Sequence, residues 1–195
     1  QNNVLTDFLT TGVYNARRQF HRTTSPSMDI LVSSNLERLL YHVTRDAGQV
    51  GTWMEQLAQN GQYRVDDATL RAIRETFNCG CADDAAAAAQ IGACWEQYGY
   101  LMDPHTAVAW HTAQSAKRPG VPCVVLSTAS PYKFPGAVLR ALGQRVPDNE
   151  FEAMHALEAF TGLRAPASLA ALGTKPVRFT QTIEKSGIAA AALAL

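Results

Sequence analysis

Val121-Pro122-Cys123-Val124-Val125-Leu126-Ser127-Thr128-Ala129-Ser130-Pro131 is the stretch that decides the fold. A short apolar run bounded by Pro119-Gly120 on one side and a hydroxyl-rich turn on the other has the length and content of a buried parallel strand. Upstream, Asp103-Pro104-His105-Thr106 combines a capping acid with proline at the first helical position, and leads into Ala107, Val108, Trp110 and Ala113. Lys117-Arg118-Pro119-Gly120 breaks that helix. Downstream, a helix is expected from about Phe134 to Gly143, with Pro135 in its first turn, and another from about Asn149 to Phe160 carrying Phe151, Met154 and Leu157. Helix, apolar strand, polar turn and helix together predict an α/β domain with a mainly parallel sheet. Only this one strand is clear. A sheet needs several for stability, so its neighbours are expected in protein outside this chain.

The rest of the chain reads as helices. Val4, Leu5, Phe8 and Leu9 follow helical spacing, and Gly12 offers an exit. Ser33-Ser34-Asn35 before Leu36-Glu37-Arg38-Leu39-Leu40-Tyr41 predicts a side-chain-capped helix starting near Asn35. A helix over about Gln49 to Ala58 ends at Asn60-Gly61. Asp66-Asp67 opens another through Leu70, Ile73, Arg74 and Phe77, closed by Asn78-Cys79-Gly80. Asp83-Asp84 then opens an alanine-rich helix toward Trp95 and Tyr98. The helical middle, roughly Ser34 to Tyr100, is expected to pack as an insertion or cover. The apolar run from Ile188 to Leu195 reads as a helical tail.

With 47% hydrophobic and 17% charged residues among 195, the composition is that of a globular protein with a real core. Seventeen basic residues balance seventeen acidic ones, which argues against a polyanionic nucleic-acid or membrane-surface partner but leaves room for one phosphate. No apolar run reaches the roughly 18 residues of a membrane span, and the polar start lacks a signal-peptide pattern, so a cytoplasmic protein is expected. A chain opening on Gln1-Asn2-Asn3 without methionine is expected to lack its natural start. Cys79, Cys81, Cys94 and Cys123 fit no zinc spacing, and no metal site is expected.

Chemistry is expected beyond the carboxyl end of the strand, where open α/β sheets bind ligands. Ser127, Thr128 and Ser130 bring three hydroxyls there, groups that hydrogen-bond a neutral heteroaromatic nitrogen without adding charge. On the residues alone, a helix-capping turn is the plainer reading. Lys133 beside a helix start suits a phosphate or an ordinary exposed turn. His105 suits an acid-base role, or a structural one fixing its helix start. Arg17, Arg18, His21 and Arg22 form a positive cluster, either a solvated loop or an anion contact. No nucleophile elbow and no P-loop are present.

Four stretches in order resemble bacterial and fungal threonine synthases. They are Asn2-Asn3-Val4-Leu5-Thr6-Asp7-Phe8; Ser25-Pro26-Ser27-Met28-Asp29-Ile30 with Ser34-Asn35-Leu36-Glu37-Arg38; Asp103-Pro104-His105-Thr106-Ala107-Val108; and Ser127-Thr128-Ala129-Ser130-Pro131-Tyr132-Lys133-Phe134. The resemblance spans nearly the whole chain, thinning between Gly48 and Ala93 and after Pro147. It implies the helix-rich C-terminal part of a tryptophan-synthase-β-like, fold type II enzyme that uses pyridoxal 5'-phosphate. The implied reaction converts O-phosphohomoserine and water into threonine and phosphate, a lyase step of threonine biosynthesis.

By that resemblance, Thr128, with Ser127 beside it, matches the hydroxyl residue at the cofactor's ring nitrogen. Lys133 falls on the ligand-phosphate side, and Asp103 and His105 support the cleft rim. Asn2 and Asn3 match an N-x-N-D segment in which Asn3 replaces the usual aspartate. The family's Schiff-base lysine and glycine- and asparagine-containing phosphate loop lie upstream of Gln1, so no catalytic residue is expected within this chain, and the N-terminal part of the same protein is the expected partner. The implied division is a cleft-side segment over 1–33, a helical region over 34–100, a helix-strand-helix cofactor-side unit over 101–147 and C-terminal helices over 148–195. The alternative is a standalone binding domain that keeps part of the fold without the chemistry.

Overall fold

The computed structural model describes residues 1–194. Two hydrophobic cores organise it. The first is built from α1 (Val4–Thr11), α2 (Asn35–Thr44), α3 (Ala47–Asn60) and α4 (Asp67–Thr76) around a short antiparallel ribbon of β1 (Val13–Asn15) and β2 (Gln62–Arg64). Tyr14 sits opposite Tyr63 in that ribbon. Their rings join Phe8 and Trp53 in an aromatic group, against which Leu40, Val65 and Ile73 are buried. The second core joins α5 (Asp84–Tyr98), α6 (Pro104–Ala116), α7 (Pro135–Ala141) and α8 (Glu150–Thr161) through Ile91, Met102, Ala107, Val138, Leu139 and Leu157. Short helices α9 (Ala167–Ala170) and α10 (Ile188–Leu193) follow, with no buried residue in either. Leu195, the last residue of the expected tail, lies outside the described residues.

The helix starts follow the capping signals. Asp46, Asp66, Asp83, Asp103 and Asn149 each accept a backbone N–H from the first turn of the following helix. The start of α2 departs from expectation. Ser34 holds a helical backbone conformation and makes no side-chain cap bond, while the Asn35 side chain accepts from Arg38. A cap needs an extended backbone at that residue to aim its oxygen at the free N–H groups, and Ser34 lacks one.

The expected buried strand is the main correction. Val121 to Leu126 carries no strand pairing, and Val121, Val124 and Leu126 are 59%, 81% and 74% exposed. The sheet among the described residues is antiparallel and two-stranded rather than mainly parallel. The physical reason is that a strand exists through its ladder: apolar content selects the segment, but a neighbouring strand must satisfy its N–H and C=O groups. No such neighbour lies among the described residues. No helix among them is long and apolar enough to cross a membrane.

Candidate functional site

The site is organised from one buried carboxylate. Asp103 is fully buried at the start of α6. Its Oδ1 accepts the backbone N–H of His105 at 2.9 Å and lies 2.8 Å from His105 Nδ1, while its Oδ2 accepts the Thr106 hydroxyl. A buried carboxylate is costly unless its lone pairs are filled, and here three donors and the positive end of α6 fill them. Pro104 suits the first helical position, where no N–H is required.

His105 then faces the first core. Its Nε2 accepts the backbone N–H of Ser27 at 3.1 Å, so Nε2 carries no proton. The ring is therefore neutral with the proton on Nδ1, which donates to Asp103. Phe134 packs against the same ring, with centroids 4.8 Å apart. Both ring nitrogens are thereby occupied by hydrogen bonds within the chain.

On the other side, the Thr106 and Ser127 hydroxyl oxygens stand 3.3 Å apart. Ser127 and Thr106 line a pocket of about 290 Å³ with Cys94, Tyr98, Met102 and Trp110. Thr128 follows, exposed, in the unpaired segment. No acid occurs from Lys117 to Pro147, so the surroundings in sequence supply hydroxyls and no carboxylate. That donor set fits the ring-nitrogen edge of a pyridoxal phosphate. A neutral pyridine nitrogen accepts a hydroxyl proton, whereas a carboxylate would favour its protonation.

The other expected residues lie elsewhere. Lys133 is exposed and lines a pocket of about 220 Å³ with Tyr132, Glu150, Phe151 and Leu172, not the one beside Ser127. Asn2 is committed within the chain: its amide donates to the His21 carbonyl at 2.6 Å and to Asp29 Oδ1 at 2.9 Å, and its oxygen accepts the His21 N–H. Asn3 joins Asp7 and Arg18, whose guanidinium reaches Asn3 Oδ1 at 3.0 Å and Asp7 Oδ2 at 2.9 Å. Arg18 of the positive cluster is thereby internally paired. Both asparagines line a cleft of about 260 Å³ with Ser25, Ser27, Asp29 and Asp84.

Asp29 was not foreseen as a site residue. It anchors the loop by accepting the Thr23 N–H at 2.8 Å and the Thr23 hydroxyl at 2.6 Å. Its signal was its place in the Ser25 to Ile30 motif. Among the described residues, no three histidine, cysteine or acidic side chains come together to hold a metal ion.

Comparison with known proteins places this arrangement. Residues 106–191 match the family model described as "Threonine synthase, C-terminal". Threonine synthase-like 1 of Homo sapiens is 37% identical over 144 residues, covering 73% of this chain and 19% of that protein. The crystal structure of PLP-bound threonine synthase from Brucella melitensis aligns with a TM-score of 0.71 at 39% identity, covering 79% of this chain and 34% of that one. Threonine synthase from yeast aligns with a TM-score of 0.79 at 27% identity, covering 99% of this chain and 39% of that one. The chain thus spans between a fifth and two fifths of the length of these relatives. By family model, by sequence and by fold, the chain belongs to the threonine synthase family, as its C-terminal portion.

Proposed function

We propose that the protein carrying this chain is a cytoplasmic threonine synthase that converts O-phosphohomoserine and water into L-threonine and phosphate with pyridoxal 5'-phosphate. The observation that carries the reading is the exposed hydroxyl pair Ser127-Thr128, at the end of an apolar segment tied through Thr106 to the buried Asp103. The PLP-bound state of the Brucella relative supports the choice of cofactor. That cofactor supplies an electron sink for the carbanions of the reaction.

The chain's own residues hold and orient. Thr128 would hold the cofactor's ring nitrogen through its uncharged hydroxyl, and Ser127 would fix the segment against α6. Lys133 offers a cation on the ligand-phosphate side, and Asn2 and Asn3 shape the facing cleft wall. Asp103 and His105 support both. Residues 1–33 form the cleft side, 34–100 the helical region, 101–147 the cofactor-side unit and 148–195 the C-terminal helices.

The covalent anchor belongs to the N-terminal part of the protein. The four lysines here, Lys117, Lys133, Lys175 and Lys185, are all exposed, whereas a Schiff-base lysine works from an enclosed site. The same N-terminal part supplies the strands that pair with Val121 to Leu126, in a mainly parallel fold type II sheet. This accounts for three large apolar side chains facing solvent.

Borohydride reduction of the cofactor onto the protein, followed by peptide mapping, tests the reading. The label is expected on a lysine outside this chain, and the chain alone is expected to turn over no O-phosphohomoserine. Stoichiometric labelling of one of the four lysines here, with turnover, contradicts it.

A further inference from the structure

The two cores meet through few polar contacts, and these differ in burial. Thr6 Oγ1 donates to the Gly80 carbonyl at 3.0 Å on the exposed side. The Thr24 N–H and hydroxyl both donate to Asp84 Oδ1, at 3.1 and 3.0 Å. A further contact, Ser27 N–H to His105 Nε2, is made by a ring that is itself buried and continues past the interface.

From Ser27 the connections run unbroken. His105 Nδ1 donates to Asp103 Oδ1, Thr106 donates to Asp103 Oδ2, and the Thr106 oxygen lies 3.3 Å from that of Ser127. The histidine link has one protonation pattern, because Nε2 accepts from Ser27 and leaves Nδ1 to donate. Neutral His105 has one N–H, and Asp103 takes it; the Thr106 hydroxyl is placed to donate to Asp103 Oδ2 and, at longer range, to Ser127 Oγ. The two ends of the series lie in different cavities, Ser27 in the cleft with Asn2 and Asp29, and Ser127 in the pocket beside Thr128.

We infer that His105 is a positioning residue, and that the Ser27–His105–Asp103–Thr106–Ser127 series couples the Pro26–Met28 turn of the first core to the hydroxyl segment of the second. Substrate-side and cofactor-side walls are then set from one buried carboxylate. The inference rests on the proposed function only for the names of the two walls; the coupling itself is a property of the hydrogen bonds.

The histidine has two substitutes that separate its nitrogens, because a glutamine amide reaches where Nε2 lies and an asparagine amide where Nδ1 lies. The experiment is hydrogen exchange with residue-level fragmentation on the full protein carrying this chain, comparing His105→Asn, His105→Gln, Thr106→Val and Thr106→Ser. His105→Asn should speed exchange of the Ser27 amide by about tenfold, the loss of one hydrogen bond, while keeping the bond to Asp103. His105→Gln should restore much of the Ser27 protection and, having lost the bond to Asp103, loosen the amides of Ser127 and Thr128. Thr106→Val should loosen Ser127 and Thr128 while Thr106→Ser leaves them as in the parent. Selective ¹⁵N labelling of histidine in the parent should show one ring protonated at Nδ1 alone. The coupling is overturned if the Ser27 amide is indifferent to His105→Asn. It is equally overturned if exchange rises uniformly across α5 and α7, or if the ring is protonated at Nε2. None of these readouts depends on turnover, so failure of the coupling and failure of the threonine synthase reading are separate results.

Discussion

The rings of Tyr14 and Tyr63 stack with centroids 5.2 Å apart and planes 5° from parallel, directly across the β1–β2 ribbon. Burial raises the ionisation of both above the ordinary tyrosine range, Tyr63 further than Tyr14. Because the folded-state values are raised, the associated stability is complete below pH 10 and is lost as the pH climbs through them. A spectrophotometric titration of the folded protein should find two of the six tyrosines ionising late, in step with loss of structure. Tyr63→Phe should advance neither unfolding nor the remaining late tyrosine to the ordinary range.

The same pair separates two kinds of hydroxyl. Tyr14 accepts the Ser33 N–H at 2.7 Å and donates to the Leu31 carbonyl at 3.0 Å, whereas Tyr63 makes no hydrogen bond through its hydroxyl among the described residues. Tyr14→Phe strands two backbone groups and should cost about 1 to 3 kcal/mol in denaturant unfolding. Tyr63→Phe should stay within about 0.5 kcal/mol. Equal costs contradict the assignment.

Asp66 caps α4 by accepting both the Thr69 N–H and the Thr69 hydroxyl, and these bonds hold its carboxyl below the usual range. A depressed folded-state value means a contribution present above the ordinary carboxylate range and lost as the pH falls through the lowered one. Asp66→Ala should cost about 1 kcal/mol at neutral pH. Asp66→Asn should keep most of the cap and remove its share of the acid sensitivity, measured as the midpoint of unfolding at neutral pH and below pH 4.

Val124 and Leu126 are largely exposed, so Val124→Asp and Leu126→Asp should change the stability of this chain by no more than about 0.5 kcal/mol. On the proposed reading the same changes would place charge inside the sheet of the complete enzyme and should abolish soluble, active protein. Normal yield and turnover from both variants would mean that the segment faces solvent in the enzyme too.

Sequence alone revealed the helices best, because a capping acid and apolar spacing are local signals. Asp66, Asp83, Asp103 and Asn149 lie where such signals place them, whereas the cap at Asp46 starts its helix two residues before the expected Gln49. The Val121 to Leu126 run was legible as an apolar segment but not as an unpaired one, since pairing is a property of its neighbours. The antiparallel ribbon escaped notice: β1 and β2 are three residues each, and the paired Tyr14 and Tyr63 lie 49 positions apart in the chain. Of the candidate site residues, Asp103 was legible as a cap. Its reach through His105 to Ser27 was not, because a contact across 78 positions leaves no local pattern.

The most direct test is turnover of O-phosphohomoserine, alongside the cofactor's absorbance spectrum, by Thr128→Ala, Thr128→Ser and Thr128→Asp in the complete enzyme. Thr128→Ala should lower turnover roughly ten- to a hundredfold through a misplaced ring while barely moving stability. Thr128→Ser should keep much of the activity. Thr128→Asp should fall below serine with an altered spectrum, because a carboxylate favours the protonated form of the ring nitrogen. Wild-type turnover and spectrum in Thr128→Ala would contradict the account, leaving Thr128 as a residue of the turn and the cofactor's ring elsewhere.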